Sequence, residues 1–157
     1  MSTTETIYIS NNLSAGDTLE KFIEYWIDDS ISTNRITSFK NIITFEGDGF
    51  SIDSVSFQAP EGPKSYVQNL VKFNPTIRLS LFYSRNSDVE KIRDTLIKNV
   101  IQVVSSNSDW NIGLNFEYEG LALIYRNSKL YIDSKHMIWN SEVLDLLPEG
   151  YIELKNL

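Results

Sequence analysis

Few side chains in this sequence could do chemistry. His136 is the only histidine and there is no cysteine, so a nucleophile–histidine arrangement would have to pair His136 with a serine. No Gly-x-Ser-x-Gly elbow presents one, and His136 reads as a surface or turn residue near Trp139. Asp48 and Asp53 are close enough in sequence to share a cation, but no His-x-x-x-His pair, EF-hand spacing or Walker A loop accompanies them. Gly47-x-Gly49 starts like a dinucleotide fingerprint, yet Ile52 stands where the third glycine belongs and no helical pattern follows. Asp28-Asp29 and Glu117/Glu119 are the paired carboxylates. Neighbours in regular structure generally point apart, so both pairs read as solvated surface. The residues therefore name no catalytic group, metal site or cofactor.

The elements that would position these residues are clearest between Pro75 and Leu147. Ile77, Leu79, Leu81 and Tyr83 alternate with polar neighbours as a half-buried strand does. Ser87 with Glu90 fits a capping box, and Val89, Ile92, Leu96, Val100, Val103 and Val104 follow one helical face, predicting a helix from Ser87 to Ser106. A three-stranded meander follows. A two-residue turn at Glu119-Gly120 sets Tyr118 against Leu121, Phe116 against Leu123 and Leu114 against Tyr125; a second at Asn127-Ser128 sets Tyr125 against Leu130 and Leu123 against Ile132. That register turns Glu117, Ala122, Ile124, Arg126, Tyr131 and Asp133 to the opposite face, so Tyr131 points outward among charges, either as an exposed tyrosine suited to anchor an interface or beneath a second layer covering that face. Ser141 and Glu142 to Leu147 form a short helix, stopped by Pro148 and Gly150.

The first part of the chain is less regular. Thr6 to Ser10 reads as a strand. A helix from Thr18 to Asp28, capped by Ser14 or Asp17, presents Leu19, Phe22, Ile23, Trp26 and Ile27 on one side. Its other side carries Asp17, Glu20, Glu24 and Asp28, with Asp29 beside them. Like charges four apart repel, and acids in a last turn oppose the helix dipole, so local helix energetics does not account for the row. Ser30 to Ser38 reads as loop, Ile42 to Phe45 and Phe50 to Phe57 as strands around Gly47-Asp48-Gly49, and Ala59 to Pro63 as a turn. Ser65 to Phe73 permits a helix, and Tyr151 to Leu154 an edge strand.

Charge is the most informative compositional fact. The chain of 157 residues has a net charge of −7. Residues 1–63 hold ten Asp plus Glu against three Lys plus Arg, whereas 64–157 hold eleven of each. Nucleic-acid affinity comes mostly from Lys and Arg displacing counterions, so this balance argues against nucleic acid and anionic membranes and in favour of a basic partner. The length fits one domain spanning 1–157. No leader pattern opens the sequence and no apolar run reaches a membrane span. With the absence of cysteine, this leads to the expectation of a cytoplasmic protein.

Pro75-Thr76-Ile77-Arg78-Leu79-Ser80-Leu81, the long helix, the Phe116 to Arg126 hairpin, and Trp139…Leu146-Leu147-Pro148…Tyr151 together resemble immunity proteins of bacterial swarming-inhibition (Sit) toxin systems. The resemblance implies a small, cytoplasmic, non-enzymatic protein that neutralises a cognate toxin by binding it. The expectation is an α+β fold: a mainly antiparallel sheet with two principal amphipathic helices packed on one face. The partner is a protein toxin, a basic one by charge, met through Glu20, Glu24, Asp28, Asp29, Glu46, Asp48, Asp53, Glu117, Tyr131 and Asp133. The rivals are a small hydrolase or nuclease using acidic residues, and a structural or adaptor subunit.

Overall fold

The structure, a computed structural model, describes residues 4–26, 36–57, 61–139, 141–147 and 150–157. Its strands are β1 (Thr4–Ser10), β2 (Ile36–Phe39), β3 (Ile42–Glu46), β4 (Phe50–Ser56), β5 (Ile77–Tyr83), β6 (Asn111–Phe116), β7 (Gly120–Arg126), β8 (Lys129–Ile132) and β9 (Ile152–Glu153). They form one sheet in the order β2-β3-β4-β5-β1-β6-β7-β8-β9. Every described pairing is antiparallel except β8 with β9. The helices are α1 (Ala15–Ile23), α2 (Glu61–Val71), α3 (Val89–Ser106) and α4 (Ser141–Leu144). The fold is α+β with a mostly antiparallel sheet.

Cross-strand partners share a face, and the register carries one apolar face across the sheet. Ile7 lies between Leu79 and Leu114, and Ile9 between Ile77 and Ile112. Leu81 opposes Ile52, which opposes Phe45. All nine are buried. Two buried hydrogen bonds fasten helices over this face: Ser54 Oγ donates to the Ala15 carbonyl of α1 at 2.8 Å, and Asn99 Nδ2 of α3 donates to the Phe22 carbonyl of α1 at 2.9 Å. The serine at the start of α1 caps it, its hydroxyl accepting from the Asp17 N–H. For α3 the cap is Asp88 rather than Ser87, with Asp88 Oδ1 accepting from the Lys91 N–H. A carboxylate at that position satisfies an orphan N–H and also complements the helix dipole.

The other face is covered as well. Gly113 alternates with core-facing Ile112 and Leu114, and a Cβ on it would lie 2.7 Å from Val71 Cγ1 at the end of α2. Ile124, paired with Gly113, is completely buried. The expectation of helices on one face therefore leaves out α2, whose starting residues read as a Pro/Gly turn because Gly62 and Pro63 both fall in its first turn. Proline there is tolerated, since the N–H it lacks would be unbonded anyway.

Three further expectations need correction. Ile36 to Ser38 is not loop but most of β2, its pairing with β3 supplying what local propensity does not. The first helix ends at Ile23, with Trp26 buried beyond it against Phe50 at a ring separation of 4.7 Å. Ile27, Asp28, Asp29 and Pro148 lie outside the described residues. The Asn127-Ser128 turn is as expected, both residues having positive φ and the Tyr125–Leu130 and Leu123–Ile132 pairs in place. The first hairpin is not. Its turn is Glu117-Tyr118-Glu119, Phe116 opposes Gly120, and a bulge shifts the ladder so that Leu114 meets Leu123. Gly120 at φ +86 takes the left-handed position of a three-residue turn. The displacement is two residues in the body of the ladder, so Leu114, Phe116, Leu123 and Tyr125 keep the core face, while Tyr118 leaves it.

Leu96→Ala is expected to cost about 2–5 kcal/mol, because Leu96 is wholly buried in the helix–sheet core. Gly113→Ala is expected to cost about 1–3 kcal/mol through overpacking against Val71. Urea unfolding measures both, and a neutral Gly113→Ala would contradict the placement of α2.

Candidate functional site

The sheet ends around Glu5, Tyr83 and Phe116 in a cluster of charged side chains and exposed apolar ones. Glu5 opposes Leu81 and Phe116 in the ladders, so its carboxylate falls on the core face, at 0% exposure. A buried carboxylate demands a partner. Arg93, from the first turns of α3, provides it: one terminal nitrogen lies 3.1 Å from Glu5 Oε1, the other 3.1 Å from Glu119 Oε1 at the hairpin turn. The Tyr83 hydroxyl donates to Glu5 Oε1 at 3.4 Å. Arg93 sits 4.9 Å above the Phe116 ring, whose centroid is 5.2 Å from that of His136.

Burial pushes the Glu5 carboxyl above its ordinary value, outweighing the pull of Arg93 in the other direction; the Glu119 charge adds to the rise. Burial, then the Glu5 charge, raises Tyr83 as well. Burial alone would lower Arg93, but Glu5 beside it raises it overall, keeping the guanidinium charged. Among the described residues Glu5 Oε2 has no hydrogen-bond partner, which fits a carboxylate whose desolvation is only partly offset. With Glu5 sealed from solvent, this cluster fastens β1, β5, α3 and the hairpin turn to one another. It offers no carboxylate to a substrate at Glu5.

Above the cluster the side chains open to solvent. Tyr118 is 82% exposed between Glu117 and Glu119; both are exposed residues, although the Glu119 side chain, held by Arg93, is only partly open to solvent. Met137 is 86% exposed in the segment after β8. That segment is held by successive turns, His136 N–H donating to the Asp133 carbonyl and Trp139 N–H to the His136 carbonyl. His136 is consequently buried, its Nδ1 accepting from the Ile138 N–H. It is a turn histidine beside Trp139, though not a surface one.

The expected binding residues do not gather on one surface. Glu20 and Glu24 are exposed on and just after α1. Glu46 is exposed on β3, but it alternates with core-facing Phe45 and so leaves the sheet on the face away from α1. Asp53 is on that same face, half-buried and accepting from Thr44 Oγ1 at 2.8 Å. Asp48 is exposed in the β3–β4 turn, and Asp133 is half-buried, accepting from the Lys135 N–H. Tyr131 is half-buried, not exposed, because it pairs with Ile124 on the face that α2 helps to cover. Tyr118 takes the place expected for Tyr131.

Two features escaped sequence reasoning although signals existed. Glu5 continues the i, i+2, i+4 phase of Ile7 and Ile9, which puts a carboxylate where the core is. Glu-Tyr-Glu-Gly has its glycine where a three-residue hairpin turn needs positive φ. Two open clefts lie elsewhere, of about 530 Å³ beside Tyr125, Leu130 and Tyr151 and about 680 Å³ beside Ser14, Lys40 and Ile43. Among the described residues no Asp, Glu or His lines either of them. Among the described residues no group of His, Asp and Glu is placed to hold a metal ion, and no helix is long and apolar enough to cross a membrane.

Because the folded pKa of Glu5 is raised, its contribution to stability is complete below the unfolded carboxylate value and is lost as pH rises through the folded one. Glu5→Gln should therefore flatten the stability–pH curve between the ordinary glutamate range and neutrality, read from urea midpoints across that window. An unchanged slope would mean that Glu5 is not desolvated. Compared with protein-family models, curated proteins and solved structures, the chain matches none.

Proposed function

We propose that this chain is a non-enzymatic immunity protein, acting in the cytoplasm, that binds and neutralises a cognate basic toxin domain. The observation that carries the reading is the hairpin tip: an almost fully exposed tyrosine between two carboxylates, with an exposed methionine at the same end of the sheet. Tyrosine and methionine are enriched where proteins meet, and a few such anchors hold most of the binding energy. Exposed Tyr118 and Met137 gain by burial, while the carboxylates beside Tyr118 select a basic surface. The acidic side chains of α1 and β3 fit the same reading as a longer-range field around a chain of charge −7. The resemblance to swarming-inhibition immunity proteins points the same way. In this reading α1 and α3 form the principal helical layer on the core face, and the tip projects from the end of that layer.

The test is to look for a toxin-type domain encoded immediately upstream, co-express it with this chain, and measure binding of the two purified proteins. Protection and tight binding are expected. Tyr118→Ala should weaken binding by about 2 kcal/mol or more, as truncated anchors do, with stability within about 0.5 kcal/mol of the parent. Glu20→Lys with Glu24→Lys should slow association and flatten its salt dependence while altering dissociation little. Cells that die despite co-expression would remove the immunity reading. A salt-independent association rate would remove the basic partner.

A further inference from the structure

The exposed tip is anchored from beneath. Glu5 lies across from Phe116 in the β1–β6 ladder, so an arginine reaching Glu5 from α3 passes over the Phe116 ring, where Arg93 is found. The guanidinium then has a second terminal nitrogen left, and Glu119 occupies it. Glu119 is the last residue of the turn that holds Tyr118. A planar fork can bridge two carboxylates in one fixed geometry, whereas the ammonium of a lysine is a point charge on a flexible stem.

We infer that Arg93 is a positioning residue for the binding surface: pinned by Glu5, it holds the Glu117–Glu119 turn in a single conformation, and protonation of Glu5 releases it. The inference rests on the binding role proposed for Tyr118, and gives that role a physical basis. A turn ordered before the partner arrives does not pay its ordering entropy on binding. Among the described residues the groups facing the Glu5 carboxylate are Arg93 from α3, Tyr83 from β5 and Glu119 from the turn. Of these, Arg93 alone opposes its charge. Protonated Glu5 no longer attracts the guanidinium electrostatically, and the Arg93–Glu119 pair loses its inner attachment. Burial raises the Glu5 carboxyl, so release falls at a higher pH than that at which exposed carboxylates titrate.

Backbone ¹⁵N relaxation on the free, full-length protein tests this. Near neutral pH the Tyr118 amide should have an order parameter of about 0.85, like the strands, and Glu119→Gln should bring it below about 0.6. The amides of Ile7 and Leu79 should not change. Arg93→Lys should loosen the turn as Glu119→Gln does. If Arg93→Lys fails to fold, Glu119→Gln decides alone, since it alters only the solvent-side carboxylate. Mild acidification should loosen the turn in the parent, whereas Glu5→Gln should be loose at neutral pH already and insensitive to acidification. A Tyr118 amide equally rigid in the parent and in Glu119→Gln, or a parent turn indifferent to pH, would overturn the inference. The measurement needs no partner. A rigid turn without protection by co-expression would remove the immunity reading and leave the anchor, and protection with a mobile turn would do the reverse.

Discussion

A carboxylate in the core phase of the central strand is the constraint on which one end of this molecule depends. Glu5 stands where Ile7 and Ile9 continue the apolar face, and without a cation it would be a desolvated charge costing several kcal/mol. Arg93 can reach it only if α3 starts near the end of β1 and crosses the Phe116 ring. That requirement fixes α3 against β6. It also places the second arm of the guanidinium at the hairpin turn, so the interaction that makes Glu5 tolerable also orders Tyr118. Replacing such a buried pair by apolar residues often preserves or raises stability. Its value here lies in the geometry it imposes on the surface above it.

The same end of the sheet shows how core and surface are coupled through a single turn. Glu119 and Gly120 set the hairpin turn at three residues, and this length moves Tyr118 from the sheet face to solvent. A two-residue turn would have faced Tyr118 to Leu121 and left the tip without an aromatic side chain. His136 packs on the same Phe116 ring, and Met137 next to it is exposed. Arg93 and His136 thus both pack on Phe116, and the exposed side chains beside them depend on a buried ring for their positions.

Much of this fold was legible in the sequence because period and turn chemistry agree. Ile92, Leu96, Val100 and Val103 mark the buried face of α3, and Asn127-Ser128 specifies its turn and register. β2 was illegible because Thr37 and Ser38 carry no apolar alternation and gain their structure from pairing with β3. α2 was obscured by Gly62 and Pro63, which read as a turn but stand in the first turn of the helix. The hairpin error had a physical origin as well. A shift of two residues keeps every side chain on its face, so the apolar pattern cannot tell the two registers apart; what can is Glu119, which a two-residue I′ turn would force to positive φ and which does not adopt it. For the candidate site, the acidic residues were found but their assembly was not. Glu46 and Asp53 are near α1 in sequence, yet strand alternation sends them to the opposite face. Tyr131 and Tyr118 exchanged roles because α2 helps to cover the face that the meander alone would leave open.

One guanidinium couples the sealed carboxylate to the one at the turn. A ¹³C NMR titration of the Glu5 side-chain carboxyl, in the parent, Arg93→Met and Glu119→Gln proteins, tests that coupling most directly. Glu5 should titrate above the ordinary glutamate range in the parent. It should move further up in Arg93→Met, where the opposing cation is gone, and down in Glu119→Gln, where the competing carboxylate is gone and Arg93 serves Glu5 alone. A Glu5 titration that neither substitution moves would contradict the bridge, and with it the claim that the core holds the binding surface in place.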